Sequence, residues 1–309
     1  MQSPAPKDYF LLALLALIWG TSYILIKKGL VVFTPYQVAG LRLGISALAL
    51  TPLAVTHFRR VRWRQIPLLI VIGLTGTGLP SFLFPFAQTH LSSSLTGMLS
   101  GLTPLCTFLI AWLVFRSKDA GRRQLLGVVL GLAGALGLAL AAPGEGGEST
   151  QLAYAGFIVL ACFCYALSSN IVVRYFRDVS SLTITVCSFF LVGLPAIIWA
   201  LSAGAVVRTV EQAELSGQPG YLALGYVAIL ALVSTVTASI IFFRIAQRTG
   251  AVFSSTVSYI IPLVALAWGL LDGEALSFWQ VPAAAMILFG VFLSRSGSHS
   301  GKQGTSEVK

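Results

Sequence analysis

Charge is the scarcest commodity in this sequence. Of 309 residues only 10% are charged, against roughly a quarter in an ordinary soluble domain, while 56% are apolar and the mean hydropathy is +0.87. That balance excludes a soluble globular fold. Acidic residues number only ten, and none lies in the interior of an apolar stretch. Proton relays inside membranes generally use Asp, Glu or His, so a carboxylate relay is not expected. Histidines number three and cysteines four. Cys106, Cys162, Cys164 and Cys187 all fall inside apolar stretches, and Cys162 and Cys164 point to different sides of a helix, a poor metal clip. They read as buried free thiols. No cofactor, metal or catalytic group is expected. Gly76-x-Gly78 lacks the third glycine and the following Lys-Ser/Thr of a phosphate loop. An intramembrane enzyme would need a Ser-His pair or a His/Glu/Asp constellation, and the apolar stretches offer neither.

What the sequence has is apolar length. A membrane-crossing helix needs about 20 mostly apolar residues, and turn signals divide the chain into ten such stretches: 9–29, 35–56, 66–87, 91–115, 122–142, 152–173, 181–203, 218–243, 250–271 and 278–294. The first resembles a signal-peptide core over Leu11 to Ile18. It runs on through Ile26 without a small-residue cleavage site, and reads as a retained span. The formal charge of +10 does not indicate nucleic acid, because the basic residues sit in short connections, as membrane topology requires. With the N-terminus cytoplasmic, the inside connections hold Lys7, the Arg59–Arg64 cluster, Arg116 to Arg123, Arg174, Arg177, Arg244, Arg248, Arg295, Lys302 and Lys309. The outside connections hold Lys27, Lys28 and Arg208 beside Glu145, Glu148, Glu211, Glu214, Asp272 and Glu274. Both termini are therefore expected in the cytoplasm of a bacterial cell, with the chain in its inner membrane. The polar tail after Arg295 reads as disordered.

The two halves of the chain resemble each other. Trp19-Gly-Thr-Ser-Tyr23 overlies Tyr165-Ala-Leu-Ser-Ser169, and Phe86 to His90 overlies Ile245 to Thr249. Thr103-Pro104-Leu105 overlies Ile261-Pro262-Leu263, and Gln124 with Gly134 overlies Gln280 with Gly290. An odd number of spans per half inverts the second copy. The expected fold class is an all-α membrane protein of ten transmembrane helices forming two inverted five-helix repeats. Its parts are a leader over 1–8, repeats over 9–142 and 152–294, an external linker over 143–151 and a tail over 295–309. Inverted repeats are characteristic of secondary transporters, with the substrate near the midplane between them.

These residues also resemble a known family, the EamA family of the drug/metabolite transporter superfamily, across residues 9 to 294. The resemblance rests on Trp19-Gly-Thr-Ser-Tyr-Ile-Leu-Ile-Lys27, on Thr34-Pro35 with Arg42 seven residues after the proline, on the Pro104 and Pro262 blocks, and on Leu271-Asp-Gly-Glu274. One departure is Phe115-Arg116, where the family usually places an acidic residue. The resemblance implies an exporter of amino acids or related metabolites, with the first four helices of each half around a central cavity. Within it, the aromatic content leans toward an aromatic amino acid branch.

Polar groups are costly in hydrocarbon, so polar stripes inside spans face a partner helix or a wet cavity. Trp19 and Tyr23 share a helical face, as do Tyr165 and Ser169, beside Asn170. Ser100 shares a face with Gly97, Gly101 and Pro104, and its counterparts are Ser255, Ser258, Tyr259 and Pro262. The glycines serve close packing equally well. The breakers from Gly73 to Pro85 make an uninterrupted third helix unexpected, and place Ser81, Phe82 and Phe86 near the path. Arg42, the one strong charge well inside a span, suits a substrate carboxylate partner, a structural partner for carbonyls, or a gate residue. Paired aromatics facing hydroxyls suit a small-molecule ligand with an apolar side chain and a polar head. The runner-up is a polyspecific exporter of hydrophobic cations, which would gain from a cavity acid. Gly127 and Gly131 form a small-xxx-small motif that serves packing within a monomer, or a weak homodimer contact.

Overall fold

A computed structural model describes residues 5–116, 122–141, 147–203, 205–275 and 277–295, and among them there is no strand. In chain order the helices are α1 (Pro6–Leu30), α2 (Pro35–Phe58), α3 (Trp63–Ala87), α4 (Ser93–Leu113), α5 (Arg122–Leu140) and α6 (Gly147–Tyr175). They continue as α7 (Ser181–Ala203), α8 (Ala205–Leu215), α9 (Gly220–Thr249), α10 (Ala251–Leu271) and α11 (Gln280–Arg295). Eight of them, α1 to α6 with α9 and α10, are long and apolar enough to cross a membrane, and α7 and α11 contain the shorter apolar stretches Ser181–Ala196 and Gln280–Leu293. The linker expected over 143–151 lies outside the described residues up to 146 and is helical from Gly147. The tail beyond Arg295 also lies outside them.

Local chemistry sets the helix ends. At α2 the Thr34 hydroxyl accepts from the Gln37 amide at 3.3 Å, the Gln37 side chain accepts from the Thr34 amide at 2.9 Å, and Pro35 occupies the first helical position. This is a reciprocal capping box. Ser92 caps α4 by accepting from Leu95 N–H at 3.1 Å. Between α9 and α10 the chain turns on Gly250 alone, at φ +101°, a conformation that disfavours any residue with a Cβ. The break expected from Arg208 to Pro219 contains α8, whose Val210 and Ala213 are buried and whose Glu211 and Glu214 are exposed. It escapes an apolar-run reading because only one of its faces is apolar.

Two pairs of helices depart from α geometry at matching places. A π segment occupies Leu74–Gly78 of α3 and another Leu230–Thr237 of α9. A 3-10 segment occupies Ser100–Leu102 of α4 and another Ser255–Tyr259 of α10. The interruption expected in the third span takes the form of a π turn between two α segments, by which the chain absorbs its glycines and prolines without unwinding. Leu79 N–H bonds the Leu74 carbonyl five residues back, just before Pro80, which has no N–H to give. In α9 the Thr235 and Thr237 hydroxyls donate to the carbonyls of Leu230 and Leu232, at 2.9 and 3.0 Å.

Packing follows an exchange rule. Helix α1 lies against α9 and α10, and α6 lies against α3 and α4; α2 packs on α7, α4 on α10, and α5 on α11. Lipid tails are as apolar as leucine, so helices in a membrane associate through close packing and hydrogen bonds. The α5–α11 contact shows this. A Cβ on Gly290 would lie 2.4 Å from the Gly127 carbonyl oxygen and 2.6 Å from Gly131 nitrogen. The Gly127/Gly131 motif is thus used within the chain. The opposite faces of these two helices expose Leu126, Val129, Leu136, Val281, Phe289 and Phe292, an apolar periphery suited to lipid.

Candidate functional site

The π segment of α3 and the 3-10 segments of α4 and α10 line a central cavity of about 80 Å³, room for several waters, and the π segment of α9 reaches it through Thr235 on Arg42. Its walls come from α1, α2, α3, α4, α6, α9 and α10; α5, α7, α8 and α11 contribute nothing to the lining. One wall is aromatic. Phe84 stands between Tyr23, at 5.6 Å between ring centres, and Tyr165, stacked at 5.9 Å. Trp19 lies 5.2 Å from Phe242 and donates its indole N–H to the Ser234 carbonyl at 2.9 Å, fixing α1 on the π segment of α9.

The polar end is built around Arg42. Its guanidinium is buried, with 6% relative exposure, and Nε donates to Thr235 Oγ1 at 2.7 Å. Thr235 passes its own proton to the Leu230 carbonyl within the π segment. Tyr165 lines the same cavity. One turn on from Arg42, Ser46 donates to the Ala231 carbonyl at 3.2 Å and ties α2 to the same segment. Ser100 donates to the Gly97 carbonyl at 2.6 Å. No carboxylate lines the cavity, and among the described residues none pairs with Arg42.

Of the side chains singled out in the sequence, Trp19, Tyr23, Arg42, Ser100, Tyr165, Ser255 and Ser258 line this cavity. Six others do not. Ser81 is fully buried with an unpartnered hydroxyl. Phe82 and Phe86 line a separate outer pocket with Pro35, Tyr36, Leu83 and Phe157. Ser169 donates to the Ala166 carbonyl in its own helix. Asn170 bridges to the Thr107 carbonyl of α4 at 3.2 Å. Tyr259 packs into the main apolar cluster. Sequence reasoning missed Phe84, Thr103, Ser168, Ser239, Phe242 and Phe243, all of which line the cavity. The halves themselves held a usable signal. Under the alignment given above, Trp19 pairs with Tyr165, Ser22 with Ser168, Phe84 with Phe243 and Ser100 with Ser258, and both members of every pair reach the lining.

Comparison with known proteins decides what kind of chain this is. The sequence profile of the EamA-like transporter family matches residues 7–140 and again residues 152–296. The chain belongs to the EamA-like transporter family. Its relatives include a "Probable amino-acid metabolite efflux pump" of Salmonella typhimurium, 25% identical over 94% of this chain and 95% of that protein. A "Probable terminal-alkyne amino-acid exporter" of Streptantibioticus cattleyicolor is 26% identical over 76% of this chain and 80% of that one. The inner membrane transporter YedA of Escherichia coli K12 is 24% identical over 92% and 89%. A solved structure titled only "Crystal structure of protein" shares the fold, with a TM-score of 0.62 over 94% of this chain and 97% of that one at 17% identity. This EamA-like transporter is thus a multi-pass integral membrane protein that handles a small-molecule substrate.

The same transporter carries a charged cluster at one end of the bundle, where α1 and α10 finish and α4 begins. Lys27 Nζ lies 2.7 Å from Asp272 and 2.8 Å from Glu274, and Lys28 pairs with Asp272. Each Glu274 oxygen accepts twice at the α4 N-terminus. Oε1 takes Ser93 N–H at 3.0 Å and its hydroxyl at 2.7 Å; Oε2 takes Ser94 N–H at 3.0 Å and its hydroxyl at 2.5 Å. Burial opposes ionisation of Glu274, but Lys27 and the Ser94 and Ser93 donors outweigh it and hold the carboxyl at about 2. Lys27 and Lys28 likewise hold the Asp272 carboxyl below its ordinary value. Glycine is required at 269, because a Cβ there would sit 1.7 Å from Ser94 Oγ. Near the end of α4, Arg174 reaches the Phe115 carbonyl at 3.5 Å and lies over the rings of Phe115 and Tyr175.

Proposed function

We propose that this EamA-like transporter exports amino acids, neutral and aromatic ones included, by alternating access. Its working parts are two inverted five-helix repeats, residues 9–142 and 152–294, joined by an external linker, with both termini cytoplasmic. The observation that carries the reading is a cavity lined by repeat-paired aromatic and hydroxyl side chains, Trp19/Tyr165, Ser22/Ser168, Phe84/Phe243 and Ser100/Ser258. Matching π segments in α3 and α9, and matching 3-10 segments in α4 and α10, are its backbone counterpart. Amino-acid export is what the names of the Salmonella and Streptantibioticus relatives state for those proteins. Broken helix geometry tolerated only beside a cavity is what a midplane site requires.

The lining holds no Asp, Glu or His, so the reading includes facilitated efflux or exchange without an intramembrane carboxylate relay. The same absence weighs against hydrophobic cations as the principal substrates. Counterflow of labelled phenylalanine, leucine, threonine and lysine into proteoliposomes tests the proposal. Saturable uptake of the neutral amino acids by the wild type, weakened at least ~10-fold in Tyr23→Ala by loss of one buried aromatic contact, is the expected result. Absence of uptake from folded protein overturns the substrate class. An inward proton current proportional to substrate overturns the uncoupled mechanism.

A further inference from the structure

The cavity has a cation and no anion. Arg42 is buried in a lining that, among the described residues, contains no carboxylate, and its hydrogen-bond partner there is the Thr235 hydroxyl. A buried guanidinium satisfied only by neutral oxygens carries a large uncompensated desolvation cost. The repeat does not mirror it, since α7, the counterpart of α2, contains no charged residue. The cavity is therefore chemically polarised even though its rings and hydroxyls are paired.

We infer that the substrate is recognised through its carboxylate by Arg42, and that the site does not require an α-ammonium. This rests on the exporter reading above and narrows its substrate class. Thr235 anchors the guanidinium by Nε, while its own proton is committed to Leu230. That leaves the fork of terminal nitrogens as the group able to grip a carboxylate with two parallel bonds. Tyr165 lines the same cavity, and its hydroxyl is able to donate to a further acceptor, such as the second carboxylate oxygen. Beyond this end lie Tyr23, Phe84 and Trp19, which suit an apolar or aromatic side chain. For an α-ammonium the lining supplies only neutral hydroxyls and ring faces, a weak set beside a charged partner. Monoanions such as 2-hydroxy acids should then bind at least as well as zwitterions, while amino alcohols and hydrophobic cations meet Arg42 as a like charge.

Competition against labelled phenylalanine counterflow in wild-type proteoliposomes tests this without any substitution. The probes are 3-phenyllactate, which has the carboxylate alone, and phenylalaninol, which has the ammonium alone. Phenyllactate should inhibit within about threefold of unlabelled phenylalanine, and phenylalaninol on the order of 100-fold more weakly, as expected for a lost charged partner. Arg42→Gln should abolish the discrimination, and Arg42→Lys should restore part of it. Equal inhibition by the two probes overturns the inference and leaves the amino-acid reading standing. So does a preference that survives in Arg42→Gln. If phenylalanine is not transported at all, thermal shift of the purified wild type with each probe decides the matter. Stabilisation by phenyllactate alone, lost in a folded Arg42→Gln, upholds carboxylate recognition while the amino-acid reading falls. Stabilisation by neither probe, or by phenylalaninol as well, overturns it.

Discussion

At the scale of single residues the cavity depends on hydroxyls that serve two partners at once. Thr235 accepts from Arg42 Nε at 2.7 Å and donates to the Leu230 carbonyl at 2.9 Å, so one small side chain holds both the guanidinium and the π turn. Replacing it with valine keeps the shape and removes the oxygen. A buried charged donor left without its acceptor costs about 1–3 kcal/mol. Thr235→Val should therefore raise the half-saturation concentration for counterflow by roughly 5- to 150-fold, and lower the melting temperature in detergent. Thr235→Ser, which keeps the hydroxyl, should remain near wild type in both. A defect in Thr235→Ser with Thr235→Val near wild type would mean that packing of the methyl group, not the hydroxyl, is what matters here. The paired residues also show how far sequence reached into the site. Trp19, Tyr23, Arg42, Ser100, Tyr165, Ser255 and Ser258 were legible because a polar or amphipathic side chain inside an apolar helix has few reasons to be there. Phe84, Phe242 and Phe243 were hidden, since phenylalanine in a span is ordinarily lipid-facing or core.

Among the elements, α3 puts Phe84 in the cavity and Phe82 and Phe86 in the outer pocket. Face arithmetic assumes 3.6 residues per turn, and the π segment Leu74–Gly78 inserts extra rotation just before these positions. Every residue beyond it is turned relative to the straight-helix expectation. The 3-10 segment Ser255–Tyr259 does the opposite: its tighter winding lines Ser258 up with Ser255 and carries Tyr259 away into the apolar cluster. The end cluster was legible only as residues, since contacts over 180 positions cannot be read from spacing. There Glu274 joins α10 to the N-termini of α4 and to Lys27 of α1, in a position to latch that end of the bundle shut. Glu274→Gln removes the charge that Lys27 and both serine pairs share. A cysteine placed at the cavity residue Ser22, with native cysteines replaced, should then react with a polar maleimide in detergent at least ~10-fold faster than with Glu274 present, the equivalent of one charge-assisted hydrogen bond. An unchanged rate would show that the cluster does not limit access. The acid side adds a second readout. With the folded carboxyl at about 2 and its ordinary value at 4.5, the unfolded chain binds the extra proton between them. The Glu274 contribution to stability is complete above about pH 4.5, is lost as pH falls toward about 2, and should be absent from the Glu274→Gln melting profile over that window.

For the whole molecule, two kinds of regularity meet. The family profile matches twice, over residues 7–140 and 152–296, and the helix contacts survive exchange of α1 with α6, α3 with α9 and α4 with α10. Yet charge breaks the symmetry at two levels: Arg42 without a mate in α7, and basic residues gathered in alternate connections. The pattern of basic residues predicts the orientation. Arg59 to Arg64, Arg174, Arg177, Arg244 and Arg248 fall in connections that share one side if every apolar helix crosses and α8 stays outside. Basic loops are retained in the cytoplasm. Asp178, exposed in the turn between α6 and α7, should then be cytoplasmic, and Gln218, exposed between α8 and α9, should face outward. In a cysteine-free background, Gln218→Cys should label with a membrane-impermeant maleimide on intact cells, and Asp178→Cys only after permeabilisation. The reverse pattern would invert the molecule and place the Glu274 cluster in the cytoplasm. Labelling of both from outside would mean that α7 or α8 to α9 does not cross as a pair, which breaks the inverted repeat itself.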